Sequence, residues 1–282
     1  MALNPNTKLE IFKLVGTGND FVFVDLRSSQ QKKSWKTLLQ KKNRSKFAQE
    51  ICRRQTGVGS DGLVILEPHP TYDFKWDFYN SDGSLAEMCG NAARCAVYLL
   101  NKKECSFLTK AGVVKGKILS ALDQLVQVEL ARPEMKKESM KISVDGKNIE
   151  GDFINSGVPH FVIHTKWEFE RLPDRMLSLK IQNHRAFGAQ HTNVTYVCPR
   201  DRSQKKYRTI TFERGVCDFT QSCGTGALAA GFSVSKNKSN KKVSLKTPGG
   251  ELEVEFYQDR NVCHLRGPVQ KTFAGHLDIG RK

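Results

Sequence analysis

The chain has 282 residues, of which 39% are hydrophobic and 26% charged, with 45 Lys and Arg set against 29 Asp and Glu. That is ordinary globular composition with room for two domains. No uncharged apolar run approaches the ~18 residues of a membrane helix, and Met1–Leu14 lacks a basic start leading into an apolar core, so a soluble, cytoplasmic protein without a membrane partner is expected. The formal net charge of +16 raises nucleic-acid binding, but the basic residues fall in separate runs at 32–46, 136–147, 205–208 and 236–242. Each run reads as a solvated helix face or a polar loop rather than one footprint. No nucleic-acid partner is expected, and a basic field of this kind would gather small carboxylates.

In chain order, a glycine-bearing turn comes first: Gly16-Thr17-Gly18-Asn19-Asp20-Phe21. A second, Gly57-Val58-Gly59-Ser60-Asp61-Gly62, follows. Asp73–Tyr79 alternates with Phe74, Trp76 and Phe78 on one side, which predicts a half-buried strand. After Asn80-Ser81-Asp82-Gly83-Ser84 comes Cys89-Gly90-Asn91, then Ala92, Ala93, Cys95, Ala96, Val97, Leu99 and Leu100, a helix apolar on most sides and so expected to be buried.

The same sequence of features then recurs. Cys223-Gly224-Thr225-Gly226-Ala227 repeats Cys89-Gly90-Asn91-Ala92-Ala93, and Phe212 stands as far before Cys223 as Phe78 does before Cys89. Thr247-Pro248-Gly249-Gly250 echoes Thr109-Lys110-Ala111-Gly112, and Gly157–Val162 faces Gly18–Val22. Ala227, Leu228, Ala229, Ala230, Phe232 and Val234 form the second apolar helix, and Glu251–Tyr257 a second alternating strand. Matches in the same order at nearly one spacing predict two related halves. The expected architecture is α/β (α+β), two pseudo-symmetric domains, each a mixed or antiparallel sheet or barrel wrapped around a central buried helix. Boundaries are expected at 1–133 and 134–270, with about 271–282 returning to the first domain.

Eight cysteines are scattered without a Cys-x-x-Cys pair, so neither a disulfide framework nor a zinc finger is indicated. Read singly, each is a small buried hydrophobe. Cys89 and Cys223 differ, because each stands where a helix begins. The positive end of a helix is one recognised means of stabilising a thiolate. The first-turn N–H groups at Gly90-Asn91 and Gly224-Thr225 suit a carboxylate. One thiolate removing an α-proton and an opposed thiol returning one would invert a stereocentre without cofactor or metal.

These residues resemble the diaminopimelate epimerase family along nearly the whole chain. By that resemblance, Asn19 in the first glycine turn, Asn80 and Asn193 in Thr192-Asn193-Val194 contact substrate, as do Gly90, Asn91, Gly224 and Thr225 in the two cysteine loops. His160 in Pro159-His160 supports a catalytic thiol, and Glu213-Arg214-Gly215 matches a family signature. Arg214 suits a bidentate carboxylate grip and Glu213 an ammonium group. The implied catalytic set is Cys89, Cys223, His160 and Glu213. The implied reaction is cofactor-independent epimerisation of LL- to meso-diaminopimelate, in lysine and peptidoglycan precursor synthesis, by an enzyme for which a homodimer is considered. The chain departs from the family pattern at Val158, where the family usually has Asn, and in Val216-Cys217-Asp218-Phe219-Thr220-Gln221-Ser222, which is one residue longer than usual. Both departures bear on specificity, so relaxed specificity extending to glutamate stays open, as does a proline racemase type of enzyme. Those relatives typically carry His where this chain has Asn91, and lack Glu-Arg-Gly.

Overall fold

The structure, a computed structural model, describes residues 8–27, 40–166, 172–200, 206–235, 241–257 and 259–278. It divides into two compact units, 1–128 with 268–282, and 129–267. The sequence reading placed the first junction at 133/134 and the return at about 271; the chain passes between units a few residues earlier on each occasion.

In the first unit, β1 (Lys8–Gly16) and β2 (Asn19–Asp25) form an antiparallel hairpin. Its two-residue turn places Thr17 and Gly18 at φ 54° and 87°, the left-handed pair that matches the strand twist. Helix α1 (Lys41–Cys52) leads to β3 (Gly62–Glu67), parallel to β2, and β4 (Phe74–Asn80) returns antiparallel beside it. A short β5 (Leu85–Ala86) pairs back onto β4. Helix α2 (Gly90–Leu100) is the crossover to β6 (Glu104–Thr109), parallel to β4, and β7 (Gly112–Ser120) pairs antiparallel with β6. Strand β8 (Leu125–Ala131) carries the chain onward.

The second unit opens with the long hairpin of β9 (Glu134–Val144) and β10 (Lys147–Asn155). It continues with β11 (Pro159–His164), α3 (Arg175–Gln182), a 3-10 turn (Arg185–Gln190), β12 (Asn193–Pro199), β13 (Lys206–Glu213) and β14 (Asp218–Phe219). Then come α4 (Gly224–Ser235), β15 (Lys241–Thr247) and β16 (Gly250–Phe256), and β17 (Val262–Asp278) runs back to pair with β1.

The repetition seen in the sequence is a repetition of pairing. From β1 to β7 the pairs run antiparallel, parallel, antiparallel, antiparallel, parallel, antiparallel. From β10 to β16 they run in that same order. Equivalent residues meet: Val64 opposes Phe78 where Val194 opposes Phe212. Each hairpin after the crossover is closed by a threonine hydroxyl on a glycine carbonyl, Thr109 to Gly112 at 2.8 Å and Thr247 to Gly250 at 2.9 Å.

Each crossover helix is buried. Within α2, Gly90 to Val97 are all buried, and α4 packs against β10, β11, β12, β13, β15 and β16. Such contact requires bare backbone. A Cβ on Gly116 of β7 would lie 2.3 Å from Val97 Cγ2, and one on Gly231 of α4 would lie 2.3 Å from Val254 Cγ2. The fold is thus the expected one, strands wrapped around a central helix in each half. Burial of each large apolar side chain, such as Phe212, Val254 or Leu228, stabilises it by about 1.5–3 kcal/mol.

The basic runs correct one expectation. Residues 136–147 form β9 and the start of β10 rather than a helix face or loop; Met140, Ile142 and Val144 point inward and the residues between them outward. Lys206–Arg208 likewise begins β13 and Lys241–Lys242 begins β15. Strands that alternate inward apolar with outward basic residues read as polar when the lysines are counted and the period of two is not. Residues 32–39, 205 and 236–240 of these runs lie outside the described residues.

Candidate active site

Both catalytic candidates sit at helix N-termini. Cys89 is the N-cap of α2, with extended φ −145° and ψ 121°, and its carbonyl accepts the Ala93 N–H at 2.9 Å. Cys223 directly precedes α4, and its carbonyl accepts the Ala227 N–H, also at 2.9 Å. Both thiols are partly exposed, whereas Cys52, Cys95, Cys105, Cys198 and Cys263 are buried. Burial pushes the Cys95 thiol far above its usual range and the Cys105 and Cys263 thiols up to about 12, so these three stay protonated. Neither helix carries an acidic side chain in its first turn.

The surroundings of Cys89 are a polar chain in the first unit. Arg94, fully buried, donates from Nη2 to Asn91 Oδ1 at 2.5 Å; Asn91 Nδ2 donates to Asn19 Oδ1 at 2.5 Å; Asn19 Nδ2 donates to Asp61 Oδ2 at 3.1 Å. A guanidinium can only donate and a carboxylate only accept, so both amide orientations are determined by the ends of the chain. Arg54 then clamps Asp20 at 2.6 and 2.8 Å and Asp61 at 2.7 Å, and Lys13 reaches Asp20 at 2.6 Å. Burial alone would raise the Asp20 carboxyl, but Arg54 and Lys13 outweigh it and hold the group below its usual range.

The side chains that hydrogen-bond in the cluster at Cys223 are uncharged. Its sulfur accepts the Gly226 N–H at 3.3 Å and lies 3.3 Å from Thr225 Oγ1. Thr225 Oγ1 is 3.0 Å from His160 Nε2, and His160 Nδ1 is 2.9 Å from Thr195 Oγ1. The tautomer follows from Asn193. Its Oδ1 accepts the Arg214 N–H at 2.8 Å, so its Nδ2 is the donor to His160 Nε2 at 3.3 Å. Nε2 therefore accepts, Nδ1 carries the hydrogen, and Thr225 donates to Nε2 while its lone pairs face the Cys223 S–H. Burial, with repulsion from Arg214, lowers the imidazole to about 3. His160 is a neutral acceptor one hydroxyl away from the sulfur, and it reaches Cys223 through Thr225.

The glycines in these loops serve packing. A Cβ on Gly226 would lie 2.2 Å from Thr211 Oγ1, and one on Gly57 would lie 2.4 Å from the Glu50 carbonyl. The Gly57–Ser60 segment closes the end of α1, its N–H groups at Gly57, Val58, Gly59 and Ser60 donating to carbonyls of Arg53, Ile51 and Cys52.

Glu213 and Arg214 begin the turn from β13 to β14. Thr220 Oγ1 donates to Glu213 Oε1 at 2.5 Å, and Arg214 Nη1 donates to the Gln190 carbonyl at 2.6 Å. In that turn Gly215 and Cys217 take φ 84° and 54°, and the Cys217 N–H returns to the Glu213 carbonyl at 2.8 Å. Asn80, at the exposed end of β4, bonds Ser84 Oγ at 2.9 Å. In the second unit the structure thus brings Asn193, His160, Thr225 and Cys223 into one hydrogen-bonded cluster, and in the first it links Asn19 to Asn91.

Sequence reasoning missed Arg94, Thr195, Thr211 and Asp61. A lone Arg in an otherwise apolar helix signals Arg94. Thr195 and Thr211 face each other at 3.1 Å across β12 and β13, a partnership that no spacing along the chain reveals.

The pattern of the family described as Diaminopimelate epimerase matches residues 11–136 and 153–272. A diaminopimelate epimerase of Aquifex aeolicus is 40% identical over 281 residues, covering 95% of this chain and 98% of that protein. One from Campylobacter jejuni is 35% identical, covering 96% and 100%. Among solved structures, a Bacillus anthracis phenazine biosynthesis protein of the PhzF family superposes with TM-score 0.72 at 11% identity, covering 96% of this chain and 99% of that one. A hydroxyproline epimerase from Agrobacterium vitis superposes with TM-score 0.69 at 14% identity, covering 98% and 94%. At such identities these two likenesses concern the fold. The chain is an isomerase and belongs to the diaminopimelate epimerase family.

Proposed function

We propose that this enzyme interconverts LL- and meso-diaminopimelate by a two-base mechanism carried by Cys89 and Cys223. The observation that supports this most directly is the duplication. Two thiols, each at the N-terminus of a buried crossover helix, stand at equivalent positions of two equivalent strand arrangements. One sulfur, as thiolate, takes the α-proton; the electron pair stays on the α-carbon; the other sulfur, as thiol, returns its proton to the opposite face. Product leaves with the two sulfurs in exchanged protonation states. The N–H groups of Gly90, Asn91, Gly224 and Thr225 hold the α-carboxylate and oppose the charge that builds on the carbanion. Asn19, Asn80 and Asn193 position the substrate, Arg214 grips the distal carboxylate and Glu213 an ammonium group. The enzyme acts on a small molecule in the cytoplasm and uses no cofactor.

The test is exchange of substrate α-hydrogen with deuterated water over a panel of amino acids, alongside conversion of the LL to the meso form. Exchange with diaminopimelate exceeding that with glutamate, proline and hydroxyproline is expected. A preference for proline or hydroxyproline would replace this reading with a proline racemase type of activity, against which Asn91 and Glu213-Arg214 speak.

A further inference from the structure

Arg94 is the charged residue that the proposed mechanism leaves unused. It is fully buried, and its partners are uncharged: Asn91 Oδ1 at 2.5 Å, Thr17 Oγ1 at 3.0 Å and the Pro268 carbonyl at 3.2 Å, with Nε making no hydrogen bond. A buried cation without an anion is costly, by several kcal/mol for a typical ion even after relaxation, so a fold that keeps one has a use for it. Because Nη2 bonds the side chain of the second residue of α2, the guanidinium folds back to the helix end that Cys89 caps. Burial lowers Arg94 to about 10, which leaves it charged at neutral pH, and the groups that support its charge are the thiols of Cys95 and Cys89. Cys95, whose own burial pushes its thiol far above the usual range, stays protonated. Cys89 is partly exposed and caps the helix end to which the guanidinium returns. The equivalent residue of α4, five after Cys223, is the buried Leu228, so α4 carries no such cation at that position.

We propose that Arg94 is a positioning residue of the first site, holding Cys89 as the resting thiolate and fixing the Asn91–Asn19 amide pair in one orientation. It touches no substrate. Its fork sets Asn91 Oδ1 as acceptor, which turns Asn91 Nδ2 toward Asn19 and Asn19 Nδ2 toward Asp61. The second part rests on the proposed use of Asn19 and Asn91 as substrate contacts; the first part does not.

Two variants separate the parts: Arg94→Leu, which copies the second half, and Arg94→Lys, which keeps the cation without the planar fork. The whole protein is alkylated with iodoacetamide across pH and mapped by peptide mass spectrometry, with Cys223 as the internal reference. In Arg94→Leu the Cys89 midpoint rises by one pH unit or more and the Cys223 midpoint stays. In Arg94→Lys the Cys89 midpoint stays near wild type while KM for diaminopimelate rises about tenfold. Both cysteines moving together, or neither moving in a folded Arg94→Leu protein, overturns the thiolate assignment whatever the substrate. If Arg94→Leu does not fold, Arg94→Lys decides: a Cys89 midpoint shifted as far as a full pH unit despite the retained charge overturns the thiolate assignment, and an unchanged KM overturns the amide assignment.

Discussion

Cys89 and Cys223 occupy the same place in two copies of one fold, yet their surroundings differ in kind. From the helix that Cys89 caps, a charged network runs outward: Arg94 joins Asp61, Asp20, Arg54 and Lys13 through the amides of Asn91 and Asn19. At Cys223 the hydrogen-bonded groups are neutral, the hydroxyls of Thr225, Thr195 and Thr211 and an imidazole that burial and the nearby Arg214 keep uncharged. A buried cation favours a thiolate; a hydroxyl backed by an imidazole acceptor receives an S–H. Backbone pairing is conserved between the halves because it depends on strand order and glycine contacts. The side chains beneath each cysteine are free to diverge, and in the proposed inversion, with one base and one acid, they would have divergent tasks.

The most severe way to break the comparison is to remove either thiol. Cys89→Ala and Cys223→Ala should each abolish epimerisation of diaminopimelate with an unchanged far-UV circular dichroism spectrum, since an inversion needs both faces. Appreciable turnover in either variant would show that one thiol suffices.

The neutrality of His160 is tested by pH. The folded imidazole titrates at about 3 and an unfolded one near 6.5. Between those values the unfolded chain binds the extra proton. The stability that His160 contributes is therefore complete above about pH 6.5 and is lost as pH falls toward 3, at about 1.4 kcal/mol per pH unit. Denaturant melts of wild type should weaken more steeply between pH 6 and 4 than those of His160→Gln, by that slope, or roughly a hundredfold in the folding constant over the window. Parallel slopes would mean that the imidazole charges readily in the fold.

Thr225→Val sharpens the relay. It keeps side-chain volume but removes the hydroxyl between Cys223 and His160. A hydrogen bond between neutral groups is worth about 0.5–1.5 kcal/mol, or roughly two- to tenfold. We expect kcat for diaminopimelate to fall within that range while KM moves less. A kcat equal to wild type would reduce His160 to a packing role.

The smallest effect concerns Val158, partly buried just before β11. Val158→Asn should restore a polar contact to the distal end of the substrate. The kcat/KM ratio for diaminopimelate over glutamate is expected to rise about tenfold, the factor that 1.4 kcal/mol corresponds to. A ratio that is unchanged or lower would place this residue away from the distal pocket.

Much of this protein was legible in its residues. The repeat, the two apolar helices and the placement of a cysteine at the start of each follow from local pattern, because small and apolar runs, glycine turns and period-two strands act over a few residues. The strand expected at 73–79 runs from Phe74 to Asn80, and the one expected at 251–257 from Gly250 to Phe256. The motif residues Asn193 and His160 were also readable as candidates. What tertiary structure alone decided is which groups they meet. β11 and β12 pair in parallel with His160 opposite Asn193, and that register, with α4 lying against both strands, joins an imidazole, an amide and Thr225 that are far apart in the chain. Arg94 is an ordinary charged letter in the sequence; it becomes an enforced cation because the strands around α2 exclude water from it, and the free energy of a charge depends on what surrounds it.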